Sequence, residues 1–317
     1  MEETFVVPQT ETGHTPVMAR EAVAMLGVRK SGMWIDATLG GGGHAELMLE
    51  RSSPDGLVIG FDRDAEAVKR CTRKFSNYGS RFMPVNANFA DMLAEMRRAG
   101  LGRADGVLAD LGLSSFQLED AGRGFSFSKK GPLDMRMDRD SGMGAAEVID
   151  SMDESELSKV IAQYGGEKAA SRVARAIKEG RASGRIGDTE SLAAVVSGAA
   201  WRRGAINPAT RTFQAIRMAV NRELESLHSF LGSLPEILAP KGRAVVISFH
   251  SLEDRAVKAA FADLSKGCVC PTGLGVCVCG RKPRSKVLTS GALMPSPEEV
   301  ANNPRSRSAR LRAVELI

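Results

Sequence analysis

Apolar and polar positions follow two alternating patterns along the first third of the chain. Four short apolar runs predict buried strands, and residues with the helical spacing of apolar positions follow each of the first three. The predicted strands are GMWIDATLG (32–40), GLVIGFDRD (56–64), RFMPVNANF (81–89) and ADGVLADLGLSS (104–115). Strands that alternate with helices in this way predict an α/β fold, a parallel sheet with helices on both faces.

This alternation stops after the fourth strand. About 130 residues separate Leu111 from Lys241, whereas a crossover between parallel strands needs only a dozen or more. Apolar spacing and capping residues predict three helices in the gap, at 153–164, 167–180 and 188–196. We therefore expect a sheet domain formed by residues 1–119 and 206–317, interrupted by a helical insert at 120–205.

Beyond the gap, the sequence again predicts elements of the sheet domain. An amphipathic helix beginning at NPATRTFQAIRMAVNRELESL (207–227) is expected to lead back to it, because an apolar stripe runs along its length. GRAVVISFHS (242–251) then predicts a buried strand, and RLRAVELI (310–317) predicts a last one.

Composition and charge predict a cellular location and a class of binding partner. No apolar run is long enough to span a membrane, and the N-terminus lacks the pattern of a signal peptide, so a cytoplasmic protein with no membrane partner is predicted. The formal net charge is +5. Basic residues cluster between Lys168 and Arg185 and between Arg281 and Arg312. Clustered positive charge indicates a polyanionic partner, although a solvated helix face explains either cluster alone.

Four consecutive glycines, Gly40 to Gly43, follow the first predicted strand. In open parallel sheets ligands bind beyond the carboxyl ends of the strands, and glycine allows positive φ and a bare backbone there. Asp62 ends the second strand, where its carboxylate could accept hydrogen bonds from both hydroxyls of a ribose. The glycine pattern alone is weak, and it does not separate NAD from S-adenosylmethionine. A tight turn is the alternative, but the glycines, the strand context and Asp62 together favour an adenosine-bearing cofactor.

Two further strand ends carry candidate site residues. Phe89 follows the third strand, where its ring could pack on an adenine or belong to the core. Asp110 ends the fourth strand, where a polar group could hold an amine in line with a sulfonium. The nitrogen of an amine conjugated to a ring is a poor nucleophile, so orientation is most of what the protein can offer such a reaction.

Several long motifs together identify a family. They are HTPVM, IDATLGGGGH, GFDRD, LADLGLSS, RGFSF, GPLDMRMD, NPATRTFQAIRMAVNRELE and ISFHSLEDR. The chain resembles the RsmH (MraW) family of bacterial small-subunit ribosomal RNA methyltransferases from His14 to about Ile317. The resemblance implies a class I (Rossmann-like) fold with an inserted helical domain, and S-adenosylmethionine as cofactor. It also implies the target, the exocyclic N4 amine of cytidine 1402 in the decoding centre of 16S rRNA within the small ribosomal subunit.

The resemblance also implies site residues. Carried over position by position, the cofactor contacts of the family fall on Gly42, Gly43, His44, Asp62, Phe89, Asp110 and Gln117. From its place at the end of the fourth strand, Asp110 is in addition the predicted catalytic residue that orients the amine. The helical insert is the predicted region of RNA recognition.

One segment departs from the pattern expected of every family member. Cys268, Cys270, Cys277 and Cys279 form C-x-C-x6-C-x-C. Four thiols in a cytoplasmic protein suggest metal ligands rather than disulfides, and zinc bound by four cysteines is plausible. A reduced, flexible loop is the alternative, so we assign no metal ligand from the sequence.

Three functions fit these observations to different degrees. The first is an RNA cytosine-N4 methyltransferase. The second is an NAD-linked oxidoreductase, which the glycine motif and Asp62 permit but for which no residues for hydride transfer are visible. The third is a non-catalytic ribosome assembly factor that keeps a relic of the cofactor site, against which the intact glycine loop argues.

Overall fold

The computed structural model describes residues 15–200, 207–270 and 276–317. His14, the first residue of the family resemblance, lies outside the described residues. The chain divides into two compact units. The first combines the chain up to Gly112 with Leu224–Ile317, and the second is Leu113–Glu223.

A seven-stranded sheet forms the centre of the first unit, with strand order β3-β2-β1-β4-β5-β7-β6. Strands β1 to β5 pair in parallel, and β7 runs antiparallel to both of its neighbours. This is the order of the class I methyltransferase fold, so the predicted fold class is confirmed. The strands are β1 Met33–Asp36, β2 Leu57–Asp62, β3 Phe82–Asn86, β4 Ala104–Asp110, β5 Leu238–Ser248, β6 Ser285–Val287 and β7 Arg310–Leu316.

Helices connect the strands of the first unit and build the second. None of those in the described ranges is both long and apolar enough to cross a lipid bilayer. In chain order they are α1 Ala19–Leu26, α2 Gly43–Arg51, α3 Ala65–Lys74, α4 Met92–Arg98, α5 Ser115–Glu119, α6 Ala145–Ser151, α7 Glu154–Gly165, α8 Ala170–Ala182, α9 Thr189–Ala199, α10 Ala209–Asn221, α11 Glu223–Ile237, α12 Ser251–Ser265 and α13 Pro297–Asn302.

Apolar side chains cover both faces of the sheet. Successive residues of a strand point to opposite faces, and Trp34 and Ile35 of β1 accordingly belong to two different hydrophobic clusters. Ile35 packs in the cluster that includes Phe230 and Leu234 of α11, and Trp34 packs in the cluster that includes Met48 of α2. A sheet buried on both faces explains why its strands read as continuous apolar runs.

The second unit has a helical core of its own. The three predicted helices are confirmed as α7, α8 and α9, and Asp153 and Asp188 cap α7 and α9 with their side chains. Caps of this kind satisfy N–H groups that the first helical turn leaves without partners. The buried core includes Met135, Ile161 and Ile177.

The second unit is longer at both ends than the predicted insert of 120–205. Helix α10 was assigned to the sheet domain, but its Phe213 and Ile216 are buried in the helical core of the second unit. The predicted single amphipathic helix is divided into α10 and α11 at Arg222, which adopts a left-handed conformation with φ of 49°. The apolar residues of this segment are therefore buried in two different hydrophobic cores. An amphipathic pattern predicts that a helix packs against a core, but it does not show which core.

Candidate active site at the carboxyl edge of the sheet

Three aspartates end three neighbouring strands of the sheet. Asp36 is the last residue of β1, Asp62 of β2 and Asp110 of β4. Strands β2, β1 and β4 lie side by side in parallel, so the three carboxylates share one edge. Asp62 and Asp110 were predicted from the sequence. Asp36 was missed, although it shows the same signal, an acidic residue that directly follows a buried apolar run.

The glycine loop after β1 is tied to Asp62. The Gly40 N–H donates to Asp62 Oδ2 at 2.8 Å, and the Asp64 N–H donates to Asp62 Oδ1 at 2.9 Å. Gly40 and Gly42 have φ of +50° and +76°, a conformation that suits glycine. Helix α2 begins directly after this turn, at Gly43, so the N–H groups of its first turn lie at the same edge of the sheet.

Packing inside the protein explains why side chains are excluded at two of the glycines. A Cβ on Gly42 would lie 2.8 Å from the ring of Phe75, and a Cβ on Gly43 would lie 2.9 Å from the ring of Pro16. Both distances are too short for carbon atoms in contact. The bare backbone is therefore required by neighbouring side chains, whether or not a ligand approaches it.

We expect Gly42→Ala to lower the free energy of unfolding by about 2–5 kcal/mol. Overpacking against Phe75 costs about 1–3 kcal/mol, and a left-handed conformation costs a residue with a Cβ about 1–2 kcal/mol. Gly100→Ala is the matched control, because Gly100 has φ of +66° and open space around its Cβ position. Denaturant unfolding of both variants separates the two costs. Equal losses in the two variants would contradict the packing argument.

The three carboxyl groups have raised pKa values. Burial raises the pKa of Asp36 to about 7, and the nearby Asp62 carboxylate adds to this effect. Burial raises the pKa of Asp62 to about 6, against the opposing effect of the N–H groups of Asp64 and Gly40. Burial, and then the charge of Asp36, raises the pKa of Asp110 well above its ordinary value.

Two of these carboxylate oxygens are left without a partner. Asp36 Oδ2 and Asp110 Oδ1 are buried and make no hydrogen bond within the described ranges. A buried charge without a partner is costly. Burial therefore favours the neutral form of these carboxyl groups, and a cation bound at this edge would favour their ionised form.

His44 lies beside Asp110 in a fixed orientation. Its Nε2 is 3.0 Å from the carbonyl oxygen of Val17, and because a carbonyl only accepts, Nε2 carries the proton. Nδ1 is then the unprotonated nitrogen, and it lies 3.9 Å from Asp110 Oδ2. Burial lowers the pKa of His44 to about 4, so the ring is neutral at pH 7. Its predicted contact with a cofactor stays a prediction.

The last two predicted cofactor contacts, Phe89 and Gln117, lie in different units of the chain. Phe89 follows β3, is half-buried, and packs edge-on against Phe230 with 5.5 Å between the ring centroids, so both of its predicted roles stay open. Gln117 belongs to the second unit. Its Oε1 accepts from the Ser114 N–H at 3.1 Å and completes the capping box of α5, a structural role that the sequence analysis did not foresee.

Comparison with known proteins decides the family. A family model described as the MraW methylase family matches residues 11–317. The chain belongs to this family. A relative from Syntrophus aciditrophicus, "Ribosomal RNA small subunit methyltransferase H", is 48% identical over 307 residues, which cover 96% of this chain and 98% of the relative. A relative of the same name from Pelobacter propionicus is 48% identical over 95% of this chain and 98% of its own length. Another from Thermomicrobium roseum is 48% identical over 96% of this chain and 94% of its own length.

The site chemistry agrees with what a methylase family requires. A sulfonium methyl donor is a cation, and the unpartnered oxygens of Asp36 and Asp110 fit a cation. The family match supports a methyl donor as the cofactor.

Proposed function

We propose that this protein uses S-adenosylmethionine to methylate the exocyclic N4 amine of cytidine 1402 in 16S rRNA of the small ribosomal subunit. The observation that carries the cofactor and the reaction is the group of three carboxyl groups, with two unpartnered oxygens, at the carboxyl edge of a class I sheet. The family and the names of its relatives support ribosomal RNA as the substrate. The cytosine and its position rest on the motif resemblance, and a ribosomal substrate places the protein in the cytoplasm.

The predicted site residues have distinct roles in this proposal. Gly42, Gly43 and His44 line the donor at the start of α2, and helix N-termini favour negatively charged groups such as a carboxylate. Asp62 accepts hydrogen bonds from the ribose hydroxyls, and Phe89 packs on the adenine. Gln117 remains a proposed contact on the strength of the resemblance alone.

Asp110 is the proposed catalytic residue. When bound, the donor supplies a methyl group on a positively charged sulfur. The Asp110 carboxylate accepts a hydrogen bond from the cytosine amine and orients its lone pair. Methyl transfer would form an N–C bond and break the methyl–sulfur bond, which would leave a neutral thioether. The nitrogen must then lose one proton, which passes to Asp110 or to water. Because the pKa of Asp110 is raised well above its ordinary value, its carboxylate is a stronger base than an exposed aspartate.

Basic residues in the two units differ in what they contribute to RNA binding. In the series from Lys168 to Arg185, the side chains of Arg172, Arg175, Lys178 and Arg181 donate to carbonyl or carboxylate oxygens of the second unit. Lys178 and Arg181 are thereby held half-buried against the second unit, but Lys168, Arg172, Arg175 and Arg185 are exposed, and the helical insert stays a proposed region of RNA recognition. Further exposed cations are Lys282, Arg284, Lys286, Arg305 and Arg307 of the first unit.

Transfer of a labelled methyl group tests the proposed function. Small ribosomal subunits from cells that lack this protein should accept one methyl group from S-adenosylmethionine, and mass mapping should find N4-methylcytidine at position 1402. Label at another nucleotide would overturn the proposed target, and no transfer with confirmed donor binding would favour a non-catalytic assembly factor. Binding of NADH in a calorimeter, with no response to S-adenosylmethionine, would favour an oxidoreductase.

We expect Asp62→Asn to weaken donor binding about 10- to 100-fold. A hydrogen bond to a charged group contributes about 1.5–3 kcal/mol, and each 1.4 kcal/mol is about a factor of ten in Kd. The ribose hydroxyls bind the ionised form, and the pKa of Asp62 is about 6. Affinity for the unaltered protein should therefore fall as the pH drops below about 6, and the variant should lose part of this dependence.

Calorimetry between pH 5 and 8 measures both effects. Asp55→Asn is a suitable control, because Asp55 is exposed and precedes β2, at the opposite end of the strand from Asp62. An unchanged Kd in Asp62→Asn, with thermal unfolding also unchanged, would remove Asp62 from the donor site.

A further inference from the structure

The segment between α12 and β6 contains the four clustered cysteines, and the proposed methylation does not involve it. Its two ends are held together by the protein. The Arg284 N–H donates to the Leu264 carbonyl at 2.9 Å, and the hydroxyls of Ser265 and Ser285 lie 2.8 Å apart. Cys268 and Cys270 precede residues 271–275, which are outside the described residues, and Cys277 and Cys279 follow them.

The four sulfur atoms converge on one point. All lie within 4.8 Å of one another. Cys277 Sγ is 3.6 Å from Cys279 Sγ, which is 3.7 Å from Cys268 Sγ. Four sulfurs placed tetrahedrally about 2.3 Å from a zinc ion are about 3.8 Å apart, whereas the two sulfurs of a disulfide are about 2.05 Å apart. The separations of 3.6 and 3.7 Å match the edge of a tetrahedron around one ion, and the other sulfur pairs lie within 4.8 Å.

Backbone N–H groups point at three of the sulfurs. Val269 donates to Cys279 Sγ, Cys270 to Cys268 Sγ, and Val278 to Cys270 Sγ, each at 3.4 Å. Such bonds stabilise thiolates, which are the form that binds metals. Gly280, with φ of +62°, lets the chain turn away directly after the last cysteine.

Burial of apolar side chains does not explain this convergence. Val269, Val276 and Val278 alternate with the cysteines and are 45%, 75% and 76% exposed. A loop held by the hydrophobic effect would turn these valines inward. Here the polarizable sulfurs face one another and the valines face solvent, so the contacts within the loop are those of a metal site.

We propose that Cys268, Cys270, Cys277 and Cys279 bind one structural zinc ion. Four thiolates complete the tetrahedral coordination of zinc and leave no position for a substrate or a water molecule, which is the arrangement of structural rather than catalytic zinc. A single ion suits the close spacing of the sulfurs. The bound zinc fixes the fold of this segment, whose last residues lead into the exposed cations near β6.

Metal analysis of the full-length chain tests this proposal. Protein purified under reducing conditions without chelators should contain one zinc ion per chain by mass spectrometry of the elements. The double variant Cys277→Ser/Cys279→Ser should contain less than about a tenth of this, because two ligands are missing. Cys71→Ala is the matched control, since Cys71 is buried in the sheet unit and should leave the zinc content unchanged.

A thiol assay keeps the test independent of whether the variant folds. In the unaltered, zinc-loaded protein the four thiols should react slowly with a thiol reagent and become reactive when a chelator removes the metal. Cys71 should stay unreactive in the folded chain, because burial raises the pKa of its thiol to about 12. Four freely reactive thiols after incubation with zinc, an intramolecular disulfide in the reduced preparation, or iron in place of zinc would each overturn the proposal.

Discussion

Replacing Asp110 by Asn is expected to lower the rate of methyl transfer about 10²- to 10⁴-fold, the usual contribution of a positioned acid or base. Asparagine has nearly the same size as aspartate, but its neutral amide oxygen orients the amine less strongly than a carboxylate does, and it cannot take up a proton. The loss should therefore appear in the rate at saturating donor and saturating small subunits. Single-turnover transfer of labelled methyl groups measures it directly.

Two controls separate chemistry from folding. Asp55→Asn removes an exposed carboxylate that precedes β2 and should retain full activity. Asp110→Asn should unfold no more easily than the unaltered protein, because the carboxylate that it removes is costly to bury. If the variant turns over at the normal rate and only its donor affinity changes, then Asp110 binds the donor and has no part in proton transfer.

Replacing Asp36 by Asn is expected to raise the free energy of unfolding at pH 8 by about 2–4 kcal/mol. The ordinary pKa of the carboxyl group is 3.8, and in the folded protein it is about 7. Below pH 3.8 the group is protonated in both states. As the pH rises the unfolded chain ionises first, so stability is lost until the pH passes about 7. This difference in pKa amounts to about 4 kcal/mol of lost stability, which the substitution would restore. A buried asparagine amide without a hydrogen-bond partner is itself destabilising, so the net increase is smaller.

The pH dependence identifies the cause. Denaturant unfolding at pH 8 should show the gain, and the gain should shrink towards pH 4, where Asp36 is protonated in the folded protein. Trp34 lies fully buried in β1, so in a Trp201→Phe background its fluorescence reports on the sheet unit. Asp55→Asn should change stability by less than about 0.5 kcal/mol. A variant that is equally destabilised at both pH values would contradict the raised pKa.

The same variant should bind the methyl donor more weakly. In the proposed site, Asp36 contributes negative charge next to a cation, and the energy spent on burying that charge in the free protein is recovered when the cation binds. Increased stability with decreased affinity is the expected trade-off at a functional site. Increased stability with unchanged affinity would mean that Asp36 lies outside the donor site.

Local patterns were enough to predict much of this protein. The apolar runs predicted strands β1 to β5 and β7, and the capping residue Asp188 predicted the start of α9 in the second unit. These features depend on neighbours along the chain, because strand alternation, helical periodicity and capping operate over a few residues. The motifs likewise identified the family, which the comparison with known proteins confirmed.

Features that join distant parts of the chain were decided by the tertiary structure alone. The core that receives α10, the exclusion of a Cβ from Gly42 by Phe75, and the burial of Asp36 with an unpartnered Oδ2 all depend on the path of the chain. The same holds for the four cysteine sulfurs, whose sequence spacing left a metal site and a flexible loop equally open. A sequence pattern shows which groups are available, but only the folded chain sets the distances and the burial on which charge and coordination depend.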